Sequence, residues 1–293
     1  MSIDLTGKAA VVTGAGRGLG AAIAKALAAA GARVVVNDIG VEVDGSGPSA
    51  GPAEEVVKAI IDTGGEAIVS TDSVATMDGG RRIIGTAVEA FGSLDVVACA
   101  AGIMRPASIF EMSEDDWDLV LTTNLKGHFT VLQPACVQMR EQQSGSIMTF
   151  SSSGGLEGNP NQPNYSASKE GILGLTRAVA LSIAPYARCN AIVPSGRSRM
   201  TDHPKLATPG RVVPGPELVA PLALFLASDA SAHITGQAIA IGGERLATFP
   251  QPRPSRVSYR DSGWTAETVR AAFAGNNLVA DELVRYRRYF PQG

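Results

Sequence analysis

The segment NYSASKEG, residues 164–171, places a phenol and an ammonium four residues apart with only small side chains between them. On a helix, Tyr165 and Lys169 share one face a single turn apart. A free phenol titrates near ~10 and is a poor base at neutral pH. An ammonium about 4 Å away, at an effective dielectric of roughly 20, favours the phenolate by up to ~4 kcal/mol. That is up to ~3 pKa units, so the spacing predicts that Lys169 makes Tyr165 a usable acid and base. Ser152, in TFSSSGG, lies thirteen residues earlier. Ser166, Ala167, Ser168 and Gly171 keep bulk away from a bound ring. The chemistry such a pair supports is general acid–base proton transfer.

A second group could hold phosphate. In VVTGAGRGLGAA, residues 11–22, Gly14, Gly16, Gly18 and Gly20 sit where a strand turns into a helix. Glycines there allow a tight turn and close backbone approach to a pyrophosphate, whose charge meets the helix N-terminal amides. Asp38, eighteen residues after Gly20, ends the next strand. A carboxylate there accepts from ribose hydroxyls and repels a 2′-phosphate, which favours NAD over NADP. Arg17, in the glycine loop, could pair with that phosphate and keeps NADP open; surface solvation is an equal alternative. Asp72 is a weaker candidate for the adenine amino group, with a turn or cap as its alternative.

These groups need a frame. Short β-branched runs read as strands at 9–13, 33–38, 67–70, 94–99, 146–150, 188–193 and 237–241. Helical stretches fall between them at about 19–30, 52–63, 78–91, 113–140, 164–184 and 216–227. Continuously apolar strands imply burial on both sheet faces, as parallel sheets require. The alternation predicts an α/β fold: a doubly wound, Rossmann-type parallel sheet of about seven strands with helices on both faces. In such a sheet the carboxyl ends of the strands face the ligand crevice, where Ser152 should project. A Gly/Ser/Pro-rich loop spans 40–52, and 243–263 reads as a linker without core pattern. We expect a catalytic domain over 1–245 and an extension over 246–293, packed on its own or a neighbouring subunit. That extension carries two helical stretches, the first capped by Thr265, with Trp264 and Tyr286 as anchors.

Composition narrows the function further. The 293 residues are 45% hydrophobic and 18% charged, with net charge −3. This suits a soluble globular protein and argues against a nucleic-acid-binding surface, which needs a concentrated basic face. Cys99, Cys136 and Cys189 form no CxxC pattern, and His128, His203 and His233 are isolated, so no metal site is expected. Reduced thiols fit a cytoplasmic protein. The N-terminus reads directly into a strand rather than a signal peptide, and no apolar run reaches membrane-spanning length.

As an ordered set, TGxxxGxG at 13–20, Asp38, Asn124 in TTNLKGHF, Ser152, Tyr165 and Lys169 resemble the short-chain dehydrogenase/reductase family over about residues 5–245. The resemblance implies that Tyr165 exchanges the substrate proton and Ser152 orients the oxygen. It also implies that Lys169 lowers the tyrosine pKa and binds the nicotinamide ribose, while Asn124 positions a relay water. The implied dinucleotide-binding positions add Leu19, Ser73, Ala100, Ala101, Gly102, Pro194 and Ser195. Taken alone, Asn124 could be a helix-kink residue and Ser152 a turn former. One departure stands out: the family's usual Asn-Asn-Ala-Gly reads CAAG at 99–102, with Cys99 and Ala100 in place of the asparagines.

VVVND with its long following loop, DSV at 72–74, SRMT at 198–201 and ELVAPLALFLAS at 217–228 resemble a narrower branch. It comprises the (R)-3-hydroxyacyl-CoA dehydrogenase part of the peroxisomal multifunctional enzyme and its bacterial relatives. The small-molecule substrate implied is a 3-hydroxyacyl-CoA, with Arg197, Arg199, Lys205 and Arg211 available to its phosphates; solvated surface charge is the alternative for these four. Alternatives are a small cyclic, aliphatic or steroid secondary alcohol, or a cofactor-binding regulatory protein without turnover. YFPQG at the C-terminus carries no peroxisomal address, so cytoplasm is the default. The resemblance also implies a homotetramer or homodimer.

Overall fold

Seven runs of small and β-branched residues form parallel strands. They are β1 (Ala9–Thr13), β2 (Arg33–Asn37), β3 (Glu66–Ser70), β4 (Val96–Cys99), β5 (Ser146–Phe150), β6 (Arg188–Pro194) and β7 (Ala238–Gly242). An eighth, β8 (Arg245–Thr248), pairs antiparallel with β7, giving the order β3-β2-β1-β4-β5-β6-β7-β8. The computed structural model describes residues 3–202, 213–254, 256–261 and 263–274. Sequence reading put β8 in a linker. The strand is an exposed edge held by backbone pairing, with Leu246 68% exposed, so it carries no burial pattern to read.

Helices α1 (Gly18–Ala29), α2 (Gly51–Asp62), α3 (Met77–Phe91), α4 (Glu114–Val120), α5 (Gly127–Gln142), α6 (Ser153–Leu156), α7 (Pro163–Ile183) and α8 (Ala220–Ala227) connect the strands. Along β1, Ala10 and Val12 share one core with Ile23 and Leu27 of α1. Ala9 and Val11, facing the other way, share a second with Val131 and Met139 of α5. This period of two explains why every β1 residue is apolar or small and buried. Full burial of a side chain such as Leu27 contributes about 1.5–3 kcal/mol. The strand order reverses beside β1, which places the crevice between the carboxyl ends of β1 and β4.

The helix expected over 113–140 is broken. Ser113 caps α4 by accepting from Asp116 N–H (3.1 Å), and Glu114, Asp115 and Asp116 complement the helix dipole. A π-helical turn, Leu121–Lys126, then interrupts before α5. Gly127 N–H reaches back five residues to Thr122 O instead of four. Periodicity near 3.6 carries no mark of one inserted residue.

The chain divides into two compact units, Met1–Phe249 and Pro250–Gly293. In the second, α9 (Ala266–Phe273) starts at Thr265, whose Oγ1 accepts from Thr268 N–H (3.3 Å), the cap expected. Trp264 is 44% exposed. The second helical stretch expected in the tail, Tyr286, His203, Lys205 and Arg211 lie outside the described residues. Among the described residues no helix is long and apolar enough to cross a membrane.

Candidate active site

The turn after β1 meets the turn after β4 backbone to backbone. Gly14 has φ +65°, and a Cβ there would lie 2.6 Å from Ala101 Cα. A Cβ on Gly20 would run into the Gly14 carbonyl, so α1 docks on the turn only because that position is bare. Asp38 is clamped over the turn: Gly16 N–H donates to its Oδ2 (2.8 Å) and Gly40 N–H to its Oδ1 (2.7 Å). Each oxygen keeps a lone pair for a ribose hydroxyl. Bare glycine backbone, helix amides and a fixed carboxylate fit the phosphate and ribose of a dinucleotide.

One cavity runs from this turn to Tyr165. Gly14, Arg17, Gly18, Leu19, Gly20, Asp38, Asp72, Ala100, Ala101, Gly102, Pro194, Tyr165 and Lys169 line it. Gly16, Ser73, Ser195, Ser152 and Asn124 are not among the residues that line it. Gly16 is occupied with Asp38. Ser73 Oγ accepts from Ala75 N–H (3.2 Å) in the turn before α3. Ser195 N–H donates to Ile241 O (2.7 Å) and extends the pairing of β6 with β7. Asp72 gives one oxygen to Arg82 Nε at 2.5 Å. Of the cations proposed for acyl carrier phosphates, Arg197 pairs with Asp202 (3.1 Å) and Arg199 with Glu42 (3.0 Å).

Where the CAAG segment lacks asparagines, Thr13 supplies the ties. Its carbonyl accepts from Ala100 N–H (3.2 Å) and its hydroxyl from Ala101 N–H (3.3 Å). Buried Cys99 is pushed up to about 12, and Cys136, by burial too, to about 11. Cys189 is raised by burial, so all three free thiols are protonated at neutral pH.

The chemical end of the cavity stands on the first turns of α7. Asn164, fully buried, donates to the carbonyls of Arg105 (3.1 Å) and Asp116 (3.0 Å) and accepts from Tyr165 N–H (2.7 Å). This anchors the helix start and aims the phenol. The Tyr165 hydroxyl is hydrogen-bonded to the side chain of Ser152, which also accepts from Gly154 N–H (3.1 Å) and caps α6. Lys169 is buried; its Nζ lies 5.5 Å from the Tyr165 ring centroid and donates to Phe150 O (2.9 Å). Ser151 Oγ donates to Lys169 O (2.7 Å), fixing α7 to the end of β5.

The electrostatics differ from the sequence expectation in one respect. Burial raises the Tyr165 pKa, and the Ser152 hydrogen bond lowers it only in part. Burial also brings Lys169 down to about 8. Desolvation, invisible in a four-residue spacing, works against the ionised form of both groups. Both shifts favour the neutral forms, the phenol and the amine.

Beneath this pair, Asn124 is fully buried in the π-helical turn. Its side chain is spent on the backbone of Ile103, accepting from N–H (2.9 Å) and donating to O (3.1 Å). A Cβ on Gly102 would stand 3.2 Å from its Oδ1 and 3.8 Å from Lys169 Nζ. The Asn124 carbonyl is 2.6 Å from His128 Nδ1. A carbonyl only accepts, which assigns the ring proton to Nδ1 and leaves Nε2 to accept from Phe150 N–H (3.3 Å). Burial first, and then the Lys169 charge, lower His128 from 6.5 to about 3.

The folded-state pKa of His128 lies below its unfolded value, so between pH 6.5 and about 3 the unfolded chain holds the extra proton. Its contribution to stability is complete above 6.5 and is lost as pH falls through that window. Chemical unfolding at pH 6.5 and pH 5 should show the parent losing about 2 kcal/mol more than His128→Gln. Equal losses would mean that His128 titrates normally in the folded protein.

Sequence reasoning missed several residues that build this site. Asn37 Nδ2 donates to Ser70 O, Ser70 Oγ and Asp72 O (3.2, 3.1 and 2.9 Å), tying β2 to the loop beyond β3. Asn164, His128, Val41 and Glu42 were also passed over. Asn37 and Asn164 stand next to residues that were singled out, and their signal was an uncharged amide in an otherwise apolar or small-residue setting.

Comparison with known proteins agrees with this geometry. The family described as short chain dehydrogenase matches residues 8–206. The chain is 35% identical to hydroxyacyl-CoA dehydrogenase ChsB1 of Mycobacterium tuberculosis, over 96% of this chain and 95% of that protein. It is 38% identical to mouse peroxisomal multifunctional enzyme type 2, over 90% of this chain but only 36% of that longer protein. The crystal structure of a short chain dehydrogenase from Mycobacterium avium superposes with a TM-score of 0.81 at 36% identity, covering 94% of this chain and 96% of that one. With its glycine turn, its Ser152–Tyr165–Lys169 cluster and its eight-stranded sheet, the chain belongs to the short-chain dehydrogenase family.

Proposed function

We propose that this oxidoreductase interconverts a secondary alcohol and a ketone with a nicotinamide dinucleotide, NAD in preference to NADP, and that its substrate is a 3-hydroxyacyl-CoA/3-oxoacyl-CoA pair. One observation carries the chemistry: Tyr165, bonded to Ser152 and one turn from Lys169, lies on the wall of the cavity that begins at the glycine turn. In the oxidising direction Tyr165 takes the proton of the alcohol while the Ser152 hydroxyl holds the same oxygen. The Lys169 ammonium offsets the charge that develops on the phenolic oxygen. Asn124 holds the loop at Ile103, and its main-chain carbonyl, steadied by His128, is the acceptor offered to a relay water. When bound, the dinucleotide takes up or supplies the hydride.

Asp38 supports NAD, because its fixed carboxylate opposes a 2′-phosphate. Kinship with a hydroxyacyl-CoA dehydrogenase over nearly the full chain supports the thioester substrate. A second reading, a small cyclic, aliphatic or steroid alcohol, is favoured by the pairing of Arg197 and Arg199 with carboxylates. Phe129 and Val137 on α5 and Leu181 on α7 are exposed apolar side chains, which supports a homodimer or homotetramer. Dehydrogenase assays with NAD and NADP across 3-hydroxyacyl-CoA thioesters, sterols and simple cyclic alcohols decide the substrate. Turnover of the thioesters with NAD is expected; activity confined to small uncharged alcohols would remove the CoA assignment.

A further inference from the structure

Two arginines on the cavity wall are directed at one carboxylate. Arg199 Nη1 lies 3.0 Å from Glu42 Oε2, and its Nη2 donates to Val41 O (3.1 Å). Arg17 Nη1, from the glycine turn, lies 3.9 Å from Glu42 Oε1 and 3.5 Å from the same Val41 carbonyl. All four residues line the cavity.

Glu42 belongs to the loop between β2 and α2, and that loop is pinned. Glu42 N–H donates to Ser46 O (2.8 Å), and its carbonyl accepts from Gly45 N–H (3.0 Å). Beyond it, Met104 N–H donates to Val43 O (2.9 Å) and Arg105 Nε to Asp44 O (2.7 Å). The backbone that carries this carboxylate on the cavity wall is therefore fastened. Its neighbour Asp38 cannot turn toward Arg17 without giving up the Gly16 and Gly40 amides. Glu42 thus carries the countercharge for both guanidinium groups.

We infer that Glu42 is a second determinant of dinucleotide choice, acting by engaging the two cations that would otherwise receive a 2′-phosphate. The inference rests on the dinucleotide reading above. A phosphorylated ribose must take Arg17 from Glu42 and bear the repulsion of that acid, whereas an unphosphorylated ribose does neither. Sequence reading leaves Arg17 open as an NADP contact; in the structure that guanidinium faces a residue four positions beyond Asp38.

Fluorescence titration of the full-length protein with NADH and NADPH tests this without any substrate. For Glu42→Gln the ratio of the NADPH to the NADH dissociation constant should fall roughly tenfold, the scale set when an acid stops opposing a phosphate and competing for its cation at about 4 Å near water. Adding Arg17→Gln to that variant should cancel most of the gain, and high salt should shrink it. An unchanged ratio in Glu42→Gln, or a gain that survives Arg17→Gln, overturns the inference while NADH binding by the parent leaves the dinucleotide reading in place. A parent that binds neither dinucleotide overturns both.

Discussion

Tyr165→Phe is expected to lower turnover by on the order of 10³-fold while NADH binds as before, because general acid–base catalysis by one placed side chain contributes about 10²–10⁴-fold. Phenylalanine keeps the ring, its packing and the position of α7, and removes only the oxygen bonded to Ser152. A loss of binding together with turnover would instead make Tyr165 a wall residue. Retained turnover would assign the proton to another group. Comparing steady-state rates with an NADH titration on the same preparation separates these cases.

Lys169→Met should show a second large effect, with opposite signs for activity and stability. Turnover should fall by on the order of 10²-fold or more, since the phenolate loses its neighbouring cation. The buried ammonium, however, is itself costly: lowering its pKa from 10.5 to about 8 corresponds to about 3 kcal/mol at neutral pH. Leaving the Phe150 carbonyl without its donor returns about 1–3 kcal/mol of that. The variant should therefore be at least as stable as the parent at pH 7. The folded pKa lies below the unfolded one, so the unfolded chain holds the extra proton between about 8 and 10.5. Stability of the parent should accordingly rise across that window relative to Lys169→Met. A clearly destabilised variant at pH 7 would mean that Lys169 is chiefly a structural tie.

This opposition between function and stability marks the site as a whole. Asn164, Ser151 and the Phe150 carbonyl spend hydrogen bonds on holding a phenol and an amine where neither is well solvated. Protein framework elsewhere, such as the two cores flanking β1, supplies the stability that this arrangement draws on.

The frame was legible in the sequence wherever burial wrote a pattern. Strands β1 and β4 are buried on both faces and so appear as uninterrupted apolar runs, and the glycines at 14 and 20 stand where a Cβ would collide with backbone. Tyr165 and Lys169 announced themselves by spacing. What stayed hidden has no local period. The π-helical turn at Asn124 adds one residue to a helix without altering its composition, and the exposed β8 has no inner face. Glu42 meets Arg199 across 157 positions of sequence. The sign of the Tyr165 shift failed for a related reason: charge spacing can be read from a sequence, but the depth at which the pair is buried cannot.

The central claim is that the Lys169 ammonium makes the Tyr165 phenol easier to ionise than its burial alone would allow. Ultraviolet titration of the phenolate band, with Tyr165→Phe as the blank, isolates that hydroxyl in the parent and in Lys169→Met. The two buried groups titrate as a coupled pair, so the quantity to compare is the apparent midpoint of the phenolate signal. The account predicts a lower midpoint in the parent than in Lys169→Met; equal midpoints, or a higher one in the parent, would contradict it.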